Sequence, residues 1–292
     1  MPWKIVPRFE VFHVSFMYCA YISEMKHIFI PILLLLTISP IAIADPALEA
    51  GFVPHKALYN VSLVSRSNGA QITNIRGQMA YEWGACGDIW DSEHNFNVRY
   101  DYAEQPSARI QNTFKNTESV DGKHFSFQSI RKRGGKVRET IRGQANINEA
   151  TYSAPQGLSY DLPTGTLFPM RHSLDLIKAI KDNKKFVNRT LFDGSSEDGP
   201  IAVNAFIGKP VAPTFDNEDI ALDLIQSPAR AIRMAFFPLS SKKSYADYEM
   251  TIIFHDNSVV SDVILDYQDF SLHQQLIALE KSNKICDTYV EQ

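Results

Sequence analysis

The sequence predicts a mostly β fold: an antiparallel β-spiral, or a curved half-barrel-like sheet, with one or two short helices packed against it. Three observations carry this expectation. Apolar and polar residues alternate with period two along most of the chain, turn dipeptides recur between the alternating runs, and one amphipathic segment has helical spacing. Period-two patterning with one apolar face argues for antiparallel strands, one side packed and one side wet.

The runs follow in order. Over 55–64, Ala57, Tyr59, Val61 and Leu63 share one face, with Lys56, Asn60 and Ser62 on the other. The polar stretch 65–73 reads as a hairpin loop, and 75–83 as the next strand. Trp90, Phe96, Val98 and Tyr100 mark a strand over 90–102. Asp121-Gly122 turns the chain toward Phe125 and Phe127. Gly134-Gly135 then marks a hairpin tip among Arg131, Lys132, Arg133, Lys136 and Arg138, and 137–147 returns. That basic run reads as a solvated tip, because acids and polar residues follow it at once. Asp193-Gly194 precedes a strand over 201–207. Tyr248, Met250, Ile252 and Phe254 alternate strictly, Asp256-Asn257 turns, and 259–267 returns. The last strand, 270–279, carries Phe270, Leu272 and Leu276 on one side.

A helix is predicted over 173–183, after Pro169, with Ser173 as its N-cap and Leu174, Ile177 and Ile180 on one face. It should plug or cap the sheet. A shorter helical piece is predicted near 46–51. Neither a repeat at solenoid spacing nor a Pro/Gly/Ser-rich linker occurs, so 45–292 reads as one domain.

The only long apolar run, 28–43, follows Met25-Lys26 and ends in Ala42-Ile43-Ala44 before Asp45-Pro46. A basic start, a short apolar core and an Ala-x-Ala end describe a secretory signal peptide, with cleavage expected between Ala44 and Asp45. The core is short for a bilayer span of roughly 20 residues. Residues 1–24 are mixed and acidic at Glu10 and Glu24, so Met25 reads as the better start. The segment 1–44 is therefore expected to be leader, and the mature protein to be exported.

Of the 292 residues, 45% are hydrophobic and 21% charged, a globular composition, with a formal net charge of -4. Setting 1–44 aside removes three of the 29 bases and two of the 33 acids, leaving -5. A mildly acidic domain has no electrostatic case for nucleic acid. Removing the leader also removes Cys19, leaving Cys86 and Cys286. An even pair in an oxidising compartment reads as a disulfide, with two unrelated buried thiols as the alternative. Without Cys-x-x-Cys spacing the pair is not a redox centre.

No nucleophile elbow, P-loop, His-Glu-x-x-His or Gly-x-Gly-x-x-Gly motif occurs. The six histidines beyond the leader have no partner at ligand spacing, so no metal, cofactor or catalytic residue is expected. Asp262, Asp266 and Asp269 resemble a carboxylate cluster, but read as solvated outer-face acids. Aromatic residues are more informative. Trp83, Trp90, Tyr100, Phe127 and Phe254 are candidates for a concave ligand groove, against the plainer reading of ordinary core.

Several segments resemble the EipB family of periplasmic cell-envelope integrity proteins of alphaproteobacteria. They are Val53-Pro54-His55-Lys56-Ala57-Leu58-Tyr59, Ile75-Arg76-Gly77-Gln78-Met79-Ala80-Tyr81-Glu82-Trp83 leading to Cys86, and Thr166-Leu167-Phe168-Pro169-Met170-Arg171-His172. Phe192-Asp193-Gly194-Ser195, Tyr248-Glu249-Met250, Leu265-Asp266-Tyr267-Gln268-Asp269-Phe270 and Cys286 continue the order. The resemblance implies an overlapping β-spiral like the half-barrels of lipoprotein carriers. It implies a structural disulfide that maps onto Cys86 and Cys286. It also implies support of envelope integrity, a periplasmic tetratricopeptide-repeat partner and no catalytic residues. The expected function is thus a non-enzymatic periplasmic protein supporting envelope integrity through protein–protein interaction. The alternative is a carrier or sensor of a lipid or lipoprotein acyl chain.

Overall fold

Antiparallel hairpins run outward in both directions from the pairing of the first strand with the last. A computed structural model describes residues 45–284, apart from 213, 214, 216, 217, 226, 227 and 242. The leader, including Met25 and Ala44, and Cys286 lie outside the described residues. From Ile43 onward the chain forms one compact unit. It opens with α1 (Pro46–Glu49), β1 (His55–Arg66), β2 (Ile72–Cys86), β3 (Ile89–Tyr102) and β4 (Ala108–Ser119). Then come β5 (His124–Arg133), β6 (Lys136–Asn146), β7 (Glu149–Ala154), β8 (Ser159–Asp161), α2 (Pro169–Lys181) and β9 (Phe186–Leu191). The rest is β10 (Ile201–Val211), α3 (Leu222–Ile225), β11 (Ala229–Pro238), β12 (Tyr248–His255), β13 (Val260–Asp266) and β14 (Phe270–Lys281).

All fourteen strands join one sheet, in the order β8-β7-β6-β5-β4-β3-β2-β1-β14-β13-β12-β11-β10-β9. Two meanders meet where β1 pairs with β14, His55 opposite Lys281 and Leu63 opposite Leu272. The sheet does not close into a barrel, because β8 and β9 remain its edges. This bears out the expected mostly β class. Both edges are blunted. β8 has three residues. Beside β9, Leu167 donates its N–H to Thr190 O at 2.9 Å and accepts from Phe192 N at 3.0 Å.

The sheet curls around α2. Leu176, Ile177 and Ile180 share a core with Trp83 of β2 and Trp90 of β3, and also with Val203, Ile232 and Phe254 of β10–β12. Strands far apart in the ladder meet the same helix only if the sheet bends around it. A second core joins Phe125, Phe127, Ile141 and Tyr152 of β5–β7 to Phe168 and Phe192. The chain leaving β9 is therefore laid against the other half-sheet. Gly194 sits in that loop at φ 64°, with the Phe127 ring where a β-carbon would be. Only glycine meets both demands without strain. Among the described residues no helix is long and apolar enough to cross a membrane.

The helix begins earlier than its expected start at Ser173. Phe168 is the N-cap in extended backbone and Pro169 the first residue, so proline's fixed φ and missing N–H suit the position. Ser173 lies inside the helix and donates its hydroxyl to Pro169 O at 3.1 Å.

Candidate functional site

The cap that Phe168 does not supply comes from another strand. Glu118, at the end of β4 and 1% exposed, accepts from Met170 N at 2.7 Å and Arg171 N at 2.9 Å. A carboxylate at a helix N-terminus satisfies otherwise orphaned amides and complements the helix dipole. Burial nevertheless dominates, pushing the Glu118 carboxyl up to about 7 against the pull of those amides and of Arg171. Arg171 donates to Val120 O and lies over the Trp90 ring, 5.6 Å from its centroid. The Trp90 indole N–H points to both Asp45 oxygens at 3.0 Å, and Asp45 also caps α1. Residues 45, 90, 118 and 171 thus fasten α2 inside the sheet.

That helix fills the space where a groove was expected. Trp83, Trp90 and Phe254 are buried in the core around α2, Phe127 is buried in the core of β5–β7, and Tyr100 borders a third core with Val98 and Leu272. The five are divided among three packed clusters and do not line one open surface. The plainer reading, ordinary core, describes four of them.

Titratable rings follow the same inner face. Tyr81 lies between His55, at 5.6 Å between ring centroids, and His94, at 4.6 Å; Phe114 follows His94 at 6.0 Å. Burial lowers His55 and His94 to about 4, so both are neutral at pH 7. Burial, reinforced by Glu118, pushes the Tyr81 phenol up. The His55 Nδ1 lies 2.8 Å from Val53 O and receives the Trp83 indole N–H at 3.1 Å.

Among the described residues, no three His, Cys, Asp or Glu side chains are grouped to hold a metal ion. The aspartates of the expected cluster have separate partners. Asp262 lies 2.7 Å from His273 Nε2, and Asp266 accepts from Ser271 at 2.6 Å. Sequence reasoning did not pair Ser261 with His255, whose Oγ and Nε2 lie 2.9 Å apart across the β12–β13 hairpin. Both are buried.

On the opposite face, β1, β2, β3 and β14 form a groove of about 440 Å³. Lys56 at its floor is flanked by Glu82 at 3.8 Å and Glu280 at 3.6 Å. Glu93 and Asp219 add to its acidic rim. Burial would raise Glu93, but the Asn95 amide and the Lys115 ammonium outweigh it and hold the carboxyl below its usual range. At one end the tail beyond β14 crosses onto β2. Ser282 N donates to Pro54 O at 3.0 Å, and a β-carbon at Gly84 would sit 3.0 Å from Lys284 Cβ. Cys86, two residues beyond Gly84, ends β2.

Comparison with known proteins shows what the chain is similar to. The family model described as EipB-like matches residues 46–283. The chain is similar to the cell envelope integrity protein EipB of Brucella abortus (strain 2308), 27% identical over 244 residues that cover 81% of this chain and 87% of that one. It is also similar to a crystal structure from Brucella abortus described as a beta-barrel-like protein of domain of unknown function DUF1849. The TM-score is 0.74 at 26% identity, covering 80% of this chain and 99% of that one.

Proposed function

The chain belongs to the EipB-like family, and from that premise we propose that it is a periplasmic protein that supports cell-envelope integrity by binding another protein, without catalysis. The named relative supports the envelope role. The observation that carries the rest is the closed interior. The helix α2 and the Phe192 loop pack against the concave face, and the Ser261–His255 pair is sealed from solvent. The outer groove over β1–β3 and β14 is open, and its acidic rim and apolar Leu58, Ala80 and Ala278 suit a protein segment. A periplasmic tetratricopeptide-repeat protein, implied by the family resemblance, is the first partner to test. A clasp between Cys86 and Cys286, exported together behind a removed leader, is part of this reading.

The test is a cross-linking pull-down from periplasm with wild type and Glu82→Lys/Glu280→Lys, beside a deletion strain challenged with detergent and cell-wall antibiotics. We expect a partner lost from the variant and a sensitive strain rescued only by wild type. No partner, together with an indifferent strain, would sink the proposal. A lipid carrier instead needs an acyl species bound inside the sheet, which native mass spectrometry of the purified protein would reveal.

A further inference from the structure

Two phenylalanines stand outside the core. Phe186 opens β9 and Phe206 pairs with it in β10, their ring centroids 5.0 Å apart. They are 46% and 60% exposed, while Val187, Ala205 and Ile207 beside them face inward and are buried. Large apolar side chains in wet positions are informative when they sit together.

Four lysines flank this pair along the chain. The α2–β9 connection brings Lys181, Lys184 and Lys185 to it, and the bulge of β10 brings Lys209. Ile207 N donates to Lys185 O at 3.0 Å, which holds Lys185 beside β10, and Lys184 N donates to Ala179 O at 2.9 Å at the end of α2. All four lysines are exposed, and none has an ion-pair partner among the described residues. The neighbouring acids are engaged elsewhere, Asp182 with Lys178 at 3.1 Å and Glu249 with Arg233. An overall acidic chain thus carries a local cationic patch around two wet rings.

We propose that this patch docks the protein onto an anionic phospholipid bilayer, the two rings entering the headgroup boundary and the lysines meeting lipid phosphates. Aromatic and apolar side chains with Lys or Arg beside them are the signature of interfacial binding. The charge argues against a second copy of the chain, because a symmetric contact would bring eight lysines together. The local field suffices despite the net negative charge, since screening confines it to about 8–10 Å. The proposal goes beyond the partner-binding reading and stands or falls without it.

Co-sedimentation of residues 45–292 with vesicles tests it. Binding to phosphatidylglycerol/phosphatidylcholine vesicles should exceed binding to phosphatidylcholine alone by at least about tenfold and fall with added salt. Lys184→Gln/Lys185→Gln should weaken it about 30-fold at low ionic strength, taking the usual contribution per lysine. Phe186→Ser/Phe206→Ser should also release the protein while its melting temperature stays within a few degrees of wild type. Equal binding to both vesicles, none to either, or variants that sediment like wild type would overturn the proposal. So would a Phe-dependent dimer that forms without lipid.

Discussion

The Ser282 hydroxyl donates to a Glu82 carboxylate oxygen at 2.6 Å, although 200 residues separate them in sequence. Lys284 against Gly84 repeats that offset, and the Lys284 ammonium reaches Asp91 on β3. Beyond His55 the first strand has ended, so the tail runs beside β2 in the lane that β1 vacates.

In the sequence Cys286 follows Lys284 by two residues, as Cys86 follows Gly84. Peptide mapping without reductant is expected to recover a Cys86–Cys286 cross-link. Cys286→Ser should lower the melting temperature by about 5–15 °C, from about 2–5 kcal/mol for a native bridge. Free Cys286 thiol in the exported protein would refute the pairing.

Removing the Glu118 carboxylate leaves two helix amides unmatched, so Glu118→Ala should cost about 1–3 kcal/mol. Glu118→Gln isolates the charge. Burial raises this carboxyl from 4.5 to about 7, so the folded state binds more protons between those values. Its contribution is fully present below pH 4.5 and is lost as pH rises through 7. Relative to Glu118→Gln, wild type should lose on the order of 3 kcal/mol across that window. Parallel stability curves would show the carboxyl to be unperturbed.

Histidines act with the opposite sign. His55, His94 and His172 are lowered from 6.5 to about 4 by burial. The stability this contributes is present above pH 6.5 and is lost as pH falls through 4. His94 already packs between the Tyr81 and Phe114 rings. His94→Phe should therefore match wild type at pH 7.5 and outlast it at pH 4.5 in thermal unfolding. An unchanged acid limb would remove His94 from the account.

Two glycines separate strain from crowding. Gly194 and Gly135 both have positive φ, but a β-carbon at Gly194 would lie 2.3 Å from the Phe127 ring, whereas nothing lies within 4 Å of Gly135. Gly135→Ala should cost about 1 kcal/mol, the backbone penalty alone. Gly194→Ala should cost about 3 kcal/mol or more, because the ring must move as well. Equal denaturation midpoints would contradict the close packing of the two half-sheets.

Strands with an apolar inner face were legible in the sequence: β1 alternates from His55 to Val61, and Ile252 and Phe254 of β12 are buried as their spacing predicts. β4 was not, because its inner positions include Asn112, Asn116 and Glu118, polar groups that read as loop until their partners are seen. β7, β8 and β9 are too short to establish a period. β11 is different: Ile232, Met234 and Phe236 alternate plainly, and only the polar stretch before it hides the run. The Glu118 cap was beyond reach, since its amide partners lie 52 and 53 residues away. Of the five aromatic residues singled out for a groove, Trp83, Trp90, Phe127 and Phe254 are buried in the core. What period-two patterning could not tell is that they divide among three separately packed clusters.

The sheet order has a consequence in time. A chain that emerges from its N-terminus can pair β1 through β8 as it appears, each hairpin closing on its predecessor. The other edge of β1 stays bare until residues 270–281 arrive, after the other described strands. During that interval a long strand with unpaired amides is open to foreign strands, the hazard that edges pose in any sheet. The keystone strand is thus the latest one, and the nascent protein should depend on a holdase until β14 seats.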